Sequence, residues 1–358
     1  MSLEVIYVTR HGFRSPWSVE PSTGNYTATI RSPTGLPTDP ALTSHGVEQA
    51  NELASHLLRL DPPVEQVYSS PYYRCLQTIQ PFVRSFRRSQ TQSPGHVSEE
   101  APFEIRADRG LSEWYGSAHF EHPSSAPVDE LQCYFPEIDA TYASNPAPSR
   151  YGESLPHLHD RVTKVIDTII KHSDREGRKA VLVCTHAAVV IALGRVLTGQ
   201  MDVDFRAFTC GLSRYRRRRL PSLGELIGPS GEEGLNSAAP TAQGGSQIGE
   251  AGSEVCPGAD STGAADRYPH DSGWPDIASP QRRRAAGLNG GWICELDSDC
   301  SFLRCGEERG WRFTGDESFI EVDDNDLRSS SVGPDSGTSV DRMKLGADDG
   351  HTSGTSKL

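Results

Sequence analysis

No run of 18 apolar residues occurs anywhere in the 358-residue chain, which leaves no segment apolar enough for a membrane-spanning helix. The opening residues, MSLEVIYVTRHG, lack a basic leader region and a long apolar core, so no cleaved secretory signal is expected. Excess positive charge is missing as well. Lys and Arg number 35 against 48 Asp and Glu, a net charge of −13 that argues against a generally basic nucleic-acid coat protein. Apolar residues make up only 35%, against about 45–50% in ordinary globular domains on a count that includes glycine. With 34 Gly and 25 Pro, one compact domain filling the whole chain is not expected. Eight cysteines over this length are too sparse for a disulfide framework, and in the absence of a secretory signal they are expected as reduced thiols. No fixed-period repeat is present.

What is there is unevenly distributed. Residues 1–220 carry 24 basic and 24 acidic side chains, whereas residues 221–358 carry 11 and 24, so the entire imbalance lies in the C-terminal third. Of residues 221–290, 38 of 70 are Gly, Ser, Ala or Pro. Such a stretch buries too little apolar surface to offset its ordering entropy and reads as a disordered linker over 221–289. Residues 323–358 read as a disordered acidic tail. Between them lies an island, residues 290–322, dense in Trp292, Ile293, Leu296, Phe302, Leu303, Trp311, Phe313, Phe319, Ile320 and Val322. An island of this size is too small to fold alone without a staple or a partner, so it is expected to co-fold with a partner.

The first 220 residues alternate between strand and helix patterns. Residues 3–9 form a short apolar run rich in Val, Ile and Tyr that ends at Arg10-His11-Gly12, which predicts a buried strand and a following loop. Thr43 or Ser44 can cap a helix running to about residue 60, and Pro62-Pro63 stops it. Residues 66–69 read as a strand, 71–86 as a helix with Pro71 in its first turn, and 103–106 as a short strand. A helix over 155–172, a strongly apolar strand over 180–184 and a helix over 187–197 follow. The alternation predicts an α/β fold with helices on both faces of a largely parallel sheet, whose ligands bind beyond the C-terminal strand ends.

Polar residues stand at those strand ends. Arg10 and His11 follow the first strand, Arg74 opens the helix after the second, Glu113 follows the third and His186 follows the strand over 180–184. Two arginines, two histidines and a glutamate converging on one cleft make a set for phosphoryl transfer. A neutral imidazole is a competent nucleophile near neutral pH. Arginine forks match phosphate oxygens and stabilise transferring charge without a metal. A carboxylic acid can protonate a leaving alkoxide and then deprotonate water.

The strings Thr9-Arg10-His11-Gly12, Ser69-Ser70-Pro71-Tyr72-Tyr73-Arg74-Cys75-Leu76-Gln77-Thr78, Gly110-Leu111-Ser112-Glu113-Trp114-Tyr115-Gly116, Tyr151-Gly152-Glu153-Ser154 and Cys184-Thr185-His186 resemble the histidine phosphatase (phosphoglycerate mutase-like) superfamily in order and spacing. The resemblance covers about residues 3–215. It implies a three-layer α/β/α sandwich and no cofactor or metal. It further implies His11 as the phosphorylated nucleophile, Glu113 as acid and base, and Arg10, Arg74 and His186 as phosphate ligands, with Arg14 adding a more distant or substrate contact. After Gly12 the chain reads Phe13-Arg14-Ser15-Pro16-Trp17, which departs from the sugar-phosphate mutase pattern and favours a phosphatase or a retired site with an apolar or restricted entrance. Together with Trp292, the Cys300-to-Leu303 string, the Gly306-to-Trp311 string and Phe313-Thr314-Gly315, the N-terminal pattern resembles the fungal TFIIIC subunits that join a histidine phosphatase domain to a small β module. That resemblance implies a TFIIIC partner bound through residues 290–322, with no direct base-specific contact to nucleic acid. An enzyme reading expects turnover to survive truncation after residue 220. An assembly reading expects deletion of 290–322 to break a complex.

Other features carry plainer readings. Glu104 or Glu121 could replace Glu113 if its loop is displaced. His119 and His122 could be a metal pair or part of a solvated loop. Cys294, Cys300 and Cys305 could bind zinc, although their spacing favours buried thiols. Cys75 and Cys184 read as small core residues. The arginine runs at 216–219 and 282–284 could be nuclear import signals, nucleic-acid patches or solvated charge. Ser356-Lys357-Leu358 matches a peroxisomal address, against the nuclear or cytoplasmic location implied by the resemblance. The 16–40 and 119–150 insertions carry no readable substrate code.

Overall fold

The computed structural model describes residues 2–91, 103–218 and 290–313. The expected linker over 221–289, the tail over 323–358 with Ser356-Lys357-Leu358, the Arg282-to-Arg284 run and the last part of the island, 314–322, fall outside these residues. In chain order the elements are β1 (Val5–Arg10), β2 (Trp17–Glu20), β3 (Asn25–Ala28), α1 (Ser44–Leu57), β4 (Gln66–Ser69), α2 (Tyr73–Thr91), β5 (Ile105–Ala107), a 3-10 turn (Arg109–Leu111), α3 (Val128–Tyr134), α4 (Leu155–Glu176), β6 (Ala180–Thr185), α5 (Ala187–Thr198), β7 (Leu212–Arg217) and β8 (Trp292–Asp299).

Among the described residues, six strands form one sheet in the order β5-β4-β6-β1-β7-β8, and β2 and β3 pair separately. The β5, β4, β6 and β1 strands run parallel, while β7 is antiparallel to β1 and β8 antiparallel to β7. Period-two alternation divides the apolar strands between two cores. Ile6, Val8, Val181 and Val183 face α4 and α5, while Val5, Tyr7, Ala180 and Leu182 face α1 and α2. The result is the α/β/α sandwich.

Helix boundaries follow their caps. Thr43 Oγ1 accepts from Gly46 N at 3.1 Å and starts α1. Pro71 lies outside α2, because Tyr73 N is capped by Asp39 Oδ2 at 2.8 Å and the helix begins there. At its far end α4 runs on to Gly177, which caps it at φ 71°.

The island changes status. Over 290–313 it is not a separate module. Its strand, β8, is the sixth strand of the same sheet, with Arg217 opposite Trp292 and Leu212 opposite Asp299. Trp292 is fully buried with Tyr215 and Leu197 on one face of the sheet, and Cys300 and Leu303 enter the core on the other. A segment this small needs a surface to complete its core, and the α/β domain itself supplies that surface. The preceding arginine run is used in the same junction. Arg214 and Arg216 both pair with Glu295, and Arg217 forks onto Asp174 at 2.9 and 2.8 Å.

Candidate active site

Parallel register brings the strand ends level. Thr9 and Ser69 both lie opposite Cys184, and Ala107 lies opposite Ser69. The ladder continues one step further, through His11 N to Thr185 O at 3.0 Å, Ser70 N to Cys184 O at 2.9 Å and Asp108 N to Ser69 O at 2.8 Å. Residues just past these positions therefore share one edge of the sheet.

His11 is fully buried, and its Nδ1 lies 2.8 Å from the Gly12 carbonyl oxygen. A carbonyl only accepts, so Nδ1 carries the proton and the neutral ring keeps its lone pair on Nε2. The His186 ring is 5.5 Å from the His11 ring and edge-on to it. His186 occupies the N-cap position of α5, with Nε2 2.8 Å from Ser70 Oγ and Nδ1 3.1 Å from Glu113 Oε2. Arg74 Nη2 stands 2.9 Å from the same Glu113 oxygen and 3.0 Å from His186 Nδ1. Arg74 Nη1 donates to the Thr38 carbonyl at 2.8 Å and to Asp39 Oδ1 at 3.3 Å. Arg10 is buried, and its Nη1 donates to the carbonyls of Ala207 (2.8 Å) and Arg309. Arg14 is buried in the same loop, with Nη1 donating to Ser15 O at 2.9 Å and the guanidinium 5.6 Å from the Trp17 ring centre.

Several residues that position this set are not marked in the sequence. Asp39 caps the helix bearing Arg74 and binds the guanidinium as well. It lies 35 residues before Arg74, so no local spacing reveals it. Arg161 forks onto Glu153, with Nε 2.9 Å from each carboxylate oxygen, and its Nη1 donates to the carbonyls of Gly110 (2.7 Å) and Ser112 (3.1 Å). Thr185 Oγ1 adds a bond to Leu111 O at 2.7 Å. These bonds hold the turn that presents Glu113, which gives the Tyr151-to-Ser154 string a physical purpose. Gly12 and Gly46 allow the His11 loop to lie against α1: a Cβ on Gly46 would come within 2.0 Å of the Phe13 carbonyl oxygen.

Burial pulls the His186 imidazolium down, but the Cys75 sulfur and the Glu113 carboxylate pull it up against Arg74, and the pKa settles at about 8. Burial also raises Asp39, which Arg74 only partly offsets, to about 6. Arg74 is held above its ordinary value; burial acts against its charge, and Glu113 and Asp39 outweigh it.

The histidine phosphatase superfamily (branch 1) model matches residues 6–219. The chain belongs to that superfamily. Among curated relatives, the transcription factor tau 55 kDa subunit of Saccharomyces cerevisiae is 32% identical over 234 residues, covering 60% of this chain and 48% of the yeast protein. The ecdysteroid-phosphate phosphatase of Drosophila melanogaster is 27% identical over 172 residues, 47% of this chain and 21% of the fly protein. The chain thus spans half or less of the length of either relative. Among solved structures, the ecdysone phosphate phosphatase of Bombix mori in complex with tungstate aligns with a TM-score of 0.43 at 18% identity, covering 67% of this chain and 98% of that one.

Within this histidine phosphatase fold the alternative residues lie elsewhere. Glu104 pairs with Arg87 at 3.6 Å, and Glu121 pairs with Arg150 on the surface. His122 is buried, with Nε2 2.8 Å from Gly116 O and Nδ1 against the Tyr26 hydroxyl. It stacks on Tyr115 with ring centres 4.9 Å apart, whereas His119 lies edge-on to Phe120. Both imidazole nitrogens of His122 are thus taken by protein partners. Cys294, Cys300 and Cys305 are free thiols, with Cys300 buried and Cys305 exposed. Among the described residues, His11, Glu113 and His186 have ligand atoms within 4.8 Å of one another. Arg74 donates to Glu113 and lies 3.0 Å from His186 Nδ1, so a cation binding there would have to displace its guanidinium.

Phe13 and Trp17, the residues expected at an apolar entrance, are half-buried and buried. Trp17 is buried against Tyr26 and Tyr115, with ring centres 5.5 and 6.1 Å away. Phe13 is half-buried beneath Arg309. A cavity of about 660 Å³ lies alongside, with Tyr72, Arg109, Ser112, Tyr115 and His122 in its walls.

Proposed function

We propose that the protein is a phosphomonoesterase working through a phosphohistidine. His11 Nε2 attacks phosphorus, forming a P–N bond while the bond to the leaving oxygen breaks, and Glu113 gives that oxygen its proton. Water then attacks the same phosphorus and gives a proton to Glu113, and the P–N bond breaks to release inorganic phosphate. Arg10, Arg14, Arg74 and His186 supply the positive charge that the transferring group needs. The observation that carries the reading is the buried contact of Arg74 Nη2 with both Glu113 and His186, beside the His11 ring. An arriving phosphoryl group takes the Arg74 guanidinium from the Glu113 carboxylate, which then picks up from solvent the proton that it passes to the leaving oxygen. Phosphate release from a small aryl phosphate, with chelator present, should be seen with wild type and be lost in His11→Ala. Equal release by both, or none from a folded wild type, overturns the proposal.

The likeness to the tau 55 kDa subunit supports a second reading, in which the same chain is a nuclear subunit of a TFIIIC-type transcription factor. The β8 edge strand exposes Ile293 and Leu296, two apolar residues suited to a protein partner. Replacing both with Lys should abolish co-purification of the other factor subunits while His11→Ala leaves it intact; co-purification unchanged by the Lys pair removes β8 as the attachment surface. An N-terminal fluorescent fusion should be nuclear, and a peroxisomal signal that vanishes on removing Ser356, Lys357 and Leu358 would replace that location.

A further inference from the structure

We propose that Arg309, in the C-terminal segment, is a positioning residue for the phosphate-binding loop that carries Arg10, His11 and Arg14, so that the site is complete only when residues 304–311 are seated. The proposal rests on the phosphatase reading of that loop.

Arg309 grips the loop from two sides. Its carbonyl oxygen accepts from Arg10 Nη1, across 299 positions of sequence. Its guanidinium lies 3.7 Å from the centre of the Phe13 ring, and its Nη1 donates to the Arg14 carbonyl at 3.2 Å. The first contact shares the Arg10 amino group with the Ala207 carbonyl, which fixes the plane of a guanidinium that otherwise rotates. The second holds the main chain just beyond His11.

The segment is itself anchored beside the loop. Glu308 Oε2 lies 2.6 Å from Gln49 Nε2 and 2.6 Å from His45 Nε2, both on α1. Gln49 in turn accepts from Phe13 N through Oε1 at 2.9 Å, so one amide ties the segment and the loop together. Thr209 N donates to the Glu308 carbonyl at 3.1 Å. Arg309 has φ 47°, a conformation that side-chain-bearing residues rarely adopt, and it sits between residues whose contacts hold it there. Arg304 N donates to Glu52 Oε2 at 3.1 Å, while its exposed guanidinium pairs with Glu48 and Glu52, which contributes little.

This arrangement reverses the expectation that turnover survives truncation after residue 220. Removing the segment also removes Trp292 from the core, so truncation alone does not separate positioning from folding, and the test uses point variants of the full chain. Arg309→Gly keeps the carbonyl and suits the positive φ but loses the guanidinium. Glu308→Ala releases the segment from α1. Arg309→Lys keeps a cation over Phe13. Each is assayed for kcat and KM on an aryl phosphate, for tungstate affinity, and for thermal midpoint.

Misplacement by about 1 Å is enough to cost on the order of a hundredfold in rate. Arg309→Gly and Glu308→Ala should lose roughly tenfold or more in kcat/KM and weaken tungstate binding, with Arg309→Lys recovering most of it and the thermal midpoint of Arg309→Gly unchanged. Wild-type kcat, KM and tungstate affinity in both Arg309→Gly and Glu308→Ala overturn the positioning role while leaving the phosphatase reading standing. A wild type without turnover that binds tungstate, and does so more weakly as Arg309→Gly, overturns the phosphatase reading alone. A wild type that neither turns over nor binds tungstate overturns both.

Discussion

The guanidinium of Arg217 lies 5.2 Å from the centre of the Trp292 ring, joining the last strand of the N-terminal segment to the strand contributed by the far C-terminal region. Arg217 also forks onto Asp174 at the end of α4, so its charge is paired while its plane covers the indole. Trp292 is completely buried in the core that contains α4 and α5. Truncating a buried tryptophan of this kind costs about 3–5 kcal/mol. Trp292→Ala should therefore lower the unfolding free energy of the whole domain by that amount, read from chemical denaturation. A loss under about 1 kcal/mol would mean that β8 adds little to the core.

Gly46→Ala tests the approach of the His11 loop to α1. The added methyl meets the Phe13 carbonyl oxygen at 2.0 Å, a main-chain atom with no rotamer to give. Overpacking of this sort costs about 1–3 kcal/mol. Both stability and kcat should fall, because the displaced residue lies two positions from His11. Crystals or hydrogen exchange showing an undisturbed loop, with normal kcat, would contradict the packing described.

Arg161 is expected to act on turnover without touching substrate. Its fork onto Glu153 and its bonds to Gly110 and Ser112 hold the turn before Glu113. Arg161→Leu should lower kcat more than it raises KM, by roughly tenfold or more. A wild-type kcat in Arg161→Leu would place the Glu113 turn under other control.

The pH dependence of stability has a definite sign. His186 is raised from 6.5 to about 8 in the folded protein. Its contribution is fully present below pH 6.5 and is lost as pH rises through about 8. Unfolding free energy should fall across that window by an amount on the order of 2 kcal/mol. His186→Asn should flatten the slope in chemical denaturation, and a slope retained in the variant would assign it to another group. Asp39 acts in the same direction lower down, losing its contribution as pH rises from 3.8 through about 6.

Much of this architecture is legible in the sequence because the decisive patterns are local. The strands β1, β4 and β6 are short apolar runs, and α1, α4 and α5 carry either an apolar stripe or a continuous apolar face. Arg10, His11, Arg74 and His186 each follow such a run closely, so the parallel topology brings them to one edge, whereas Glu113 follows β5 by six residues and is placed by the turn that Arg161 braces. Features set by distant pairing are hidden. Asp39 acts through a loop fold, Gln49 looks like any polar helical residue, and Arg309 owes its position to a carbonyl contact that no side-chain pattern encodes. The aromatic density of 290–313 does signal a need for burial. Which surface answers that need is decided by the open edge of β7, an antiparallel strand that the alternating pattern of the earlier elements does not announce.

The strand order has a consequence for the order of events during synthesis. Every strand from β1 to β7 can leave the ribosome and pair before Trp292 has been translated, yet the sheet then ends on β7 with its edge open. Unpaired edges of this kind invite association with other chains. The domain must wait for the whole intervening segment before β8 closes that edge, and a nascent chain stalled within it would present β7 to its neighbours on the polysome.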